Sequence, residues 1–505
     1  MTTYRDRLFR ILFAAGWIGA TAIAISPPGI AGTSVQSGIE LLPEEAAIEQ
    51  TYQSAIGQAI QQGQELAALN RIPPSDRTPA QQQRITELRQ AQRELTRRYR
   101  EFINQPEVQN AIAQLRTAEP QQTLPITELE RFQETLRNLD QNAALLYPLV
   151  LDDRLELLLL TPGAPPLRYT VQVSRQELNR AILEFRQALQ NPLSDPLPPA
   201  QQLYDWLIRP LEQDLAAANT QSLLYAPDGA LRYIPLVALH DGNQWLTERF
   251  TVNNLTAASL TDLTPPVQNP PRILAAAFTE GSYQVEQGDR QVTISGFPFA
   301  RVEVENIAAQ FPETKVLLNQ EFTPEAVASL SPDHNILHLA TTGFIDPGSP
   351  EDSFILFGNG DRVTLRDMRN WNLSNVDLVV LSGCETVEGG TLGDGRELTA
   401  FGYEMQRAGA KSVITSLWLV SDQGTQLLMN GFYSALKNGS APAAALRAAQ
   451  VKLIQGDYVL SSPDRSQNRN LKGSGIGVRE LPDSSRDRFS HPYYWAPFIL
   501  IGNGL

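Results

Sequence analysis

The chain of 505 residues contains one cysteine, and its position invites a chemical reading. Cys384 ends the apolar run Val376 to Cys384 (VDLVVLSGC), which continues into Glu385 and Thr386. A second run, Asn335 to Ala340 (NILHLA), passes into Thr341, Thr342, Gly343 and Phe344. Short apolar runs bounded by Gly and Ser are patterned as buried parallel strands, and open α/β sheets place their chemistry at the C-terminal ends of such strands. A thiol there could act as a nucleophile, given a proton acceptor and donors for the oxyanion. The backbone N–H groups of Gly343 and Cys384 could be the donors, because glycine lets the chain approach a reacting carbonyl. The acceptor is harder to find. The histidines are His240, His334, His338 and His491, and His338 lies about 13 Å along its strand from position 342, at ~3.3 Å per residue. His338 reads as a buried, hydrogen-bonded core residue, His491 as part of a packing motif and His334 as solvated. His240 could reach the site only through a loop that folds back. Glu385, beside the thiol, would oppose thiolate formation. A lone cysteine is also commonly a small buried hydrophobe.

The elements that must position these residues are legible around them. Ile273 to Phe278, Lys315 to Leu318, Asn335 to Ala340, Asp377 to Ser382 and Ser412 to Leu417 read as strands. Between them, Arg301 to Gln310, Pro324 to Leu330 (capped by Thr323) and Leu398 to Arg407 read as helices. This alternation requires a parallel sheet with right-handed crossovers. Upstream, residues 143 to 173 read as a meander of strands. Arg175 to Leu189 and Ala200 to Ala217 read as amphipathic helices. Leu223 to Tyr225 turns at Pro227-Asp228-Gly229 and is expected to form a hairpin with Leu231 to Leu239. A proline-rich junction at 261–272 divides the domain.

Several of these segments in this order resemble the CHAT domain, a caspase-like cysteine peptidase family. The resemblance rests on LSGCET (Leu381 to Thr386) and HLATTG (His338 to Gly343). It rests also on LLYAPDGALRYIPLVAL (Leu223 to Leu239), AGAKSVITSLWLVSD (Ala408 to Asp422), ALRAAQ (Ala445 to Gln450) and HPYYWAPFILIGNG (His491 to Gly504). It implies an α/β fold, a caspase-like mostly parallel sheet flanked by helices, here preceded by an α-helical N-terminal segment. It implies Cys384 as nucleophile, with Gly343 and Cys384 at the oxyanion positions. It also implies a histidine immediately before that glycine, where this chain has Thr342. The nucleophile is kept and the base is replaced. Asp394 and Glu397, downstream, could form an acidic pocket for a basic side chain, or merely a solvated loop.

The N-terminus is patterned for export. Arg5, Arg7 and Arg10 precede an apolar run from Ile11 to Ile25 and a small-residue exit at Gly29 to Ala31, so residues 1–31 read as a signal peptide or an uncleaved anchor. Removing them takes away three Arg and one Asp, moving the net charge from −14 to −16. Such a polyanion argues against nucleic acid, which needs basic patches. A membrane is a partner only if the leader stays. With one Cys no internal disulfide can form. Residues 32–140 read as a Gln-rich helical segment and 141–505 as the CHAT-like domain. Ile85, Leu88, Leu95, Tyr99 and Phe102 fall at heptad positions, with Gln92 in the remaining slot, so residues 44–103 suit a helical hairpin or coiled coil that packs on itself or on a protein partner. No 34-residue repeat is present, and nothing in the pattern calls for a cofactor or a metal.

These features leave three readings. In the first, an exported pseudo-peptidase binds peptide or protein segments without efficient cleavage. In the second, an active endopeptidase uses Cys384 with a non-standard base. In the third, a scaffold protein works through its N-terminal helices.

Overall fold

Apolar runs of four to eight residues make strands when turn residues bound them, and longer stretches with 3.6-residue periodicity make helices. The computed structural model describes residues 65, 69, 72, 77–103, 135–136, 142–162, 167–256, 263, 269–287, 290–344, 353–383, 396–418, 420–458 and 489–505. Along the chain come helix α1 (Pro79–Ile103), strands β1 (Ala143–Val150), β2 (Leu155–Leu160) and β3 (Leu167–Val171), then helices α2 (Arg175–Leu189), α3 (Leu197–Leu207) and α4 (Glu212–Ala217). Strand β4 (Ser222–Tyr225), helix α5 (Leu246–Arg249) and strand β5 (Thr251–Asn254) follow. Next are β6 (Ile273–Ala277), the hairpin of β7 (Ser282–Gln287) and β8 (Arg290–Ser295), α6 (Pro298–Gln310), β9 (Lys315–Leu318), α7 (Pro324–Leu330) and β10 (Ile336–Ala340). A small antiparallel sheet is made of β11 (Gly343–Phe344), β12 (Phe354–Leu356) and β13 (Arg362–Thr364). The chain closes with α8 (Leu365–Met368), β14 (Leu378–Leu381), α9 (Arg396–Arg407), β15 (Ser412–Ser416), α10 (Asp422–Lys437), α11 (Pro442–Gln455), α12 (Pro492–Trp495) and β16 (Phe498–Gly502).

These elements fall into two compact units, the first holding α1, most of β1, β2, β3 and α4. Within it β2 pairs antiparallel with β3, and all six residues of β2 are buried. Glu156 on β2 has no exposed surface. It is compensated by Arg154, Arg168 and the Thr170 hydroxyl, as a buried carboxylate must be. Leu69 packs on Ile85 and Leu88, and Arg84 forms a two-pronged ion pair with Glu65. The leader and most of the Gln-rich segment lie outside the described residues.

The second unit carries the candidate residues on strands ordered β4-β5-β16-β15-β14-β10-β6-β9. Neighbours are parallel except β15 and β16, which run antiparallel. In β10 the side chains alternate. Leu337 and Leu339 join the core with Met368, Met405 and Val413, whereas His338 faces Glu303 of α6 and Tyr433 of α10. Helices α6 and α10 are tied to each other by a hydrogen bond from Asn306 to Asn430.

Two expectations need correction. Leu231 to Leu239 is not a strand and makes no hairpin with β4. It folds as two 3-10 turns, Gly229–Tyr233 and Leu236–Ala238, while β4 pairs in parallel with β5. Gly229 takes a positive φ of 52° and turns the chain, and Pro235 removes a ladder donor. Second, Ala200 to Ala217 is broken at Arg209–Leu211 into a 3-10 turn. There Pro210 has no N–H to give an α-helix interior.

Candidate functional site

The two sequence runs that frame the candidate thiol end side by side. Leu339 stands in register with Leu381, and the Ser382 N–H donates to the Leu339 carbonyl at 3.1 Å. Beyond β10 the chain is pinned sideways. The Thr341 hydroxyl donates to Leu356 O at 2.6 Å, the Leu356 N–H donates to Thr342 O at 3.1 Å, and Gly343 pairs with Ile355. Thr342 is therefore buried, with 2% of its surface exposed. At the neighbouring strand end a Cβ on Gly383 would stand 2.6 Å from Thr341 O. Only glycine allows this approach. Gly383→Ala is expected to force the two strand ends apart and lower stability by about 1–3 kcal/mol. A thermal melt of the variant checks this, and an unchanged midpoint would mean the strand ends do not need their present separation.

Thr341, Thr342, Ser382 and Gly383 line a cleft of about 360 Å³ of empty space, part of it open to solvent. Its other wall comes from Ala300 and Glu303 of α6 and from Asp422 and Thr425 of α10. Ser421 caps α10 by accepting the Gly424 N–H at 3.3 Å. The Asp422 carboxylate accepts the Phe299 N–H at 3.0 Å, so it lies at the N-termini of both α10 and α6. Although the residue as a whole is only half-buried, protein crowds its carboxyl group. Burial pushes Asp422 up to about 7, against the Phe299 hydrogen bond and with help from the charge on Glu303. Glu303 is 2% exposed. The Thr425 hydroxyl is buried without a hydrogen-bond partner.

Of the residues expected at the site, Thr342 and Gly343 take their places at the strand end. Cys384 and Asp394 lie outside the described residues. Glu397 falls on α9, with its side chain likewise outside them. Each histidine is engaged elsewhere. His338 is fully buried, with Nδ1 3.0 Å from the Tyr433 hydroxyl and Nε2 2.7 Å from Glu303 Oε1. His240 Nδ1 accepts the Gly242 N–H, and the ring packs edge-on to Trp245. His491 accepts the Tyr493 N–H to cap α12 and contacts Ser194 O through Nε2. His334, expected to be solvated, is half-buried, with Nδ1 2.7 Å from Leu330 O.

Glu303, Asp422 and Thr425 escaped the sequence reading. Glu303 did leave a signal, a carboxylate on the helical face shared by Ala300, Val304 and Ile307, all buried. A second cleft, near Val252, Leu446 and Phe498, is satisfied structurally. There Arg447 donates to Thr247 O and Glu248 O, and Thr247 donates to Gln450. Among the described residues no group of three or more His, Cys, Asp or Glu is placed to hold a metal ion.

A mostly parallel mixed sheet flanked by helices, with adjacent strand ends of small residues lining an acidic cleft, defines an α/β domain whose candidate site lies at the C-terminal ends of its strands. The chain belongs to the CHAT domain family, whose profile matches residues 197–503. It is similar to tetratricopeptide repeat protein 28 of Mus musculus, at 26% identity over 358 residues, and to its Homo sapiens counterpart, at 25% over 359. Each match covers 61% of this chain but spans only 13% of the relative. Among solved structures it is similar to the Arg-specific cysteine proteinase gingipain R (RgpB) of Porphyromonas gingivalis, at 9% identity and a TM-score of 0.37, covering 65% of this chain and 74% of that one. It is also similar to the Saccharomyces cerevisiae separase–securin complex, at 10% identity and a TM-score of 0.40, covering 75% and 31%.

Proposed function

We propose that this domain binds a peptide or protein segment at the C-terminal ends of β10 and β14, takes up a basic side chain, and cleaves it poorly or not at all. The observation that carries this reading is the cleft itself. Two carboxyl groups, Glu303 and Asp422, and an unpartnered hydroxyl, Thr425, face a space bounded by Thr342 and Gly383. A buried acidic wall favours a cation that brings its own hydrogen-bond donors. Glu303 and Asp422 are acids additional to Asp394 and Glu397, whose side chains lie outside the described residues. Thr342 cannot accept a proton near neutral pH, which removes the roughly 10²–10⁴-fold contribution of a positioned base. Export rests on the N-terminal pattern, and among the described residues no helix is long and apolar enough to cross a membrane.

The test compares N-acetyl-arginine amide with its citrulline analogue by titration calorimetry. The arginine compound is expected to bind, and Asp422→Asn or Glu303→Gln to weaken it about tenfold or more, the scale of removing one partner from a buried charge pair. Equal binding of the two analogues would sink the proposal. In parallel, peptides with Arg or Lys should be cut no faster by the wild type than by Cys384→Ala.

One observation favours an active peptidase instead. Asp422, held at about 7 in the same cleft, is tuned for proton transfer near neutral pH. That reading requires turnover that vanishes in Cys384→Ala and rises with pH through about 7.

A further inference from the structure

Behind the acidic wall of the cleft lies a second level of polar groups. Helices α6 and α10 run side by side in one direction and are tied twice. At the outer tie the Asp422 carboxylate accepts the Phe299 N–H, and at the inner tie Asn306 donates to Asn430. Between the ties, one helical turn of ~5.4 Å beyond the outer one, stand Glu303 on α6 and Gln426 on α10. Asp422, Gln426 and Asn430 recur every four residues and so share one stripe of α10. Gln426 therefore faces the seam between the helices at the level of Glu303. It has no exposed surface, and neither Oε1 nor Nε2 of its amide has a hydrogen-bond partner. Thr425, 5% exposed and lining the cleft, is unpartnered as well. Glu303 Oε1 meets His338 Nε2 at 2.7 Å, but off the line of a hydrogen bond. Buried polar groups without partners are costly and rare in folded proteins. Three of them at adjoining positions beside one cleft point to a ligand that brings several donors at once.

We propose that the pocket is built for arginine rather than lysine, with Gln426 as the residue that tells the two apart. The inference rests on the reading of the cleft as a pocket for a basic side chain, and it names which one. Lysine ends in a compact ammonium, whose three donors radiate from a single atom. It reaches Asp422, Thr425 and Glu303 in the cleft but serves only one level of the seam. Arginine ends in a planar fork with five N–H donors spread over three nitrogens. That fork spans both levels. Its outer edge donates to Asp422 and the Thr425 hydroxyl, and its inner edge to Glu303 and Gln426 Oε1. Hydrogen bonds from an ionised donor are the stronger kind, and the fork fixes their geometry. Lysine leaves the Gln426 amide unmatched. A site that holds a buried acceptor for one ligand rejects the analogue that leaves it unpaired.

The experiment titrates the full chain with N-acetyl-arginine amide and N-acetyl-lysine amide by calorimetry. The arginine probe is expected to bind about 10–100-fold more tightly, the scale of one charge-assisted hydrogen bond. Gln426→Leu, close in size but apolar, should remove most of that preference by weakening arginine alone. Because this variant discards an unmatched buried amide, it should melt at or above the wild-type midpoint, which separates the effect from misfolding. A midpoint well below wild type would mean that the empty protein already satisfies the amide, and overturns the inference. Equal affinities for the two probes overturn it too, as does a preference that survives Gln426→Leu or a parallel loss of both probes in that variant. In each of these cases the pocket reading stands. Failure of both probes to bind the wild type overturns the pocket reading and the arginine preference with it.

Discussion

Thr342→His is expected to raise peptide cleavage by ~10²–10⁴-fold, the contribution of a positioned general base. The strand end that carries position 342 is already built. It is held by the pairing of Gly343 with Ile355 and by the Thr341 hydroxyl on Leu356 O. Gly383, the residue before the cysteine, touches the same strand end at Thr341. Residue 342 also lines the cleft, so a larger ring has space on that side. An imidazole there would take the thiol proton and lower the thiol pKa by charge pairing. Peptides with Arg or Lys should respond first, because of Glu303 and Asp422. The gain must vanish in the double variant with Cys384→Ala. No gain across a peptide library, in a variant whose melting is unchanged, would mean that the segment after Gly383 no longer presents its thiol. The domain would then act as a scaffold.

The parallel sheet was legible because its strands are short apolar runs with clear stops. Thr323 before Pro324 gave both the start and the cap of α7, and its hydroxyl accepts the Ala326 N–H. The strands β6, β9, β10, β14 and β15 lie within a residue or so of where the pattern puts them. What failed had a physical reason. Leu231 to Leu239 is rich in strand-forming residues, but its burial comes from packing on all sides rather than from a ladder. The three-stranded sheet of β11, β12 and β13 was invisible because its strands hold only two or three residues each, too few for a period of two to register.

The site divided in the same way. The strand end carrying Thr342 and Gly343 could be read from small residues that stop an apolar run, whereas the close approach of Gly383 to Thr341 could not. Nor could the electrostatics of the site. Asp394 and Glu397, the acids sought near the cysteine in sequence, have side chains outside the described residues, and the acids that line the cleft are Glu303 and Asp422, 81 residues before the cysteine and 38 after it. Helix packing unites these two, since α6 and α10 lie on one face of the sheet and start at the same end of it. In the sequence Glu303 is no more than a charge on an apolar helix face. Asp422 followed a serine that reads as a loop residue until α10 is recognised behind it.

The cost of that placement gives the second large effect. Asp422→Asn is expected to stabilise the fold at pH 8 while weakening the binding of basic ligands. The Asp422 carboxyl titrates at about 7 in the folded chain, against an ordinary 3.8, and burial is the main cause. The folded state therefore keeps this proton over a range in which the unfolded chain has lost it. Stability from this group falls as pH rises from about 4 to about 7, and the whole loss is present at pH 8. At ~1.36 kcal/mol per pKa unit, a shift of that size corresponds to about 4 kcal/mol. Asparagine carries no such charge, yet its side-chain oxygen can still accept the Phe299 N–H, so the tie between α6 and α10 survives. Urea titrations at pH 4 and pH 8 should show near-equal stability for the two proteins at the acid end and a clear advantage for Asp422→Asn at the alkaline end. An advantage that is the same at both pH values would place the effect in packing rather than charge. An alkaline loss would mean that the ionised carboxylate, at the N-termini of two helices, is a net stabiliser. The acidic wall would then hold the helices together, and its role as a cation receptor would need another carboxylate.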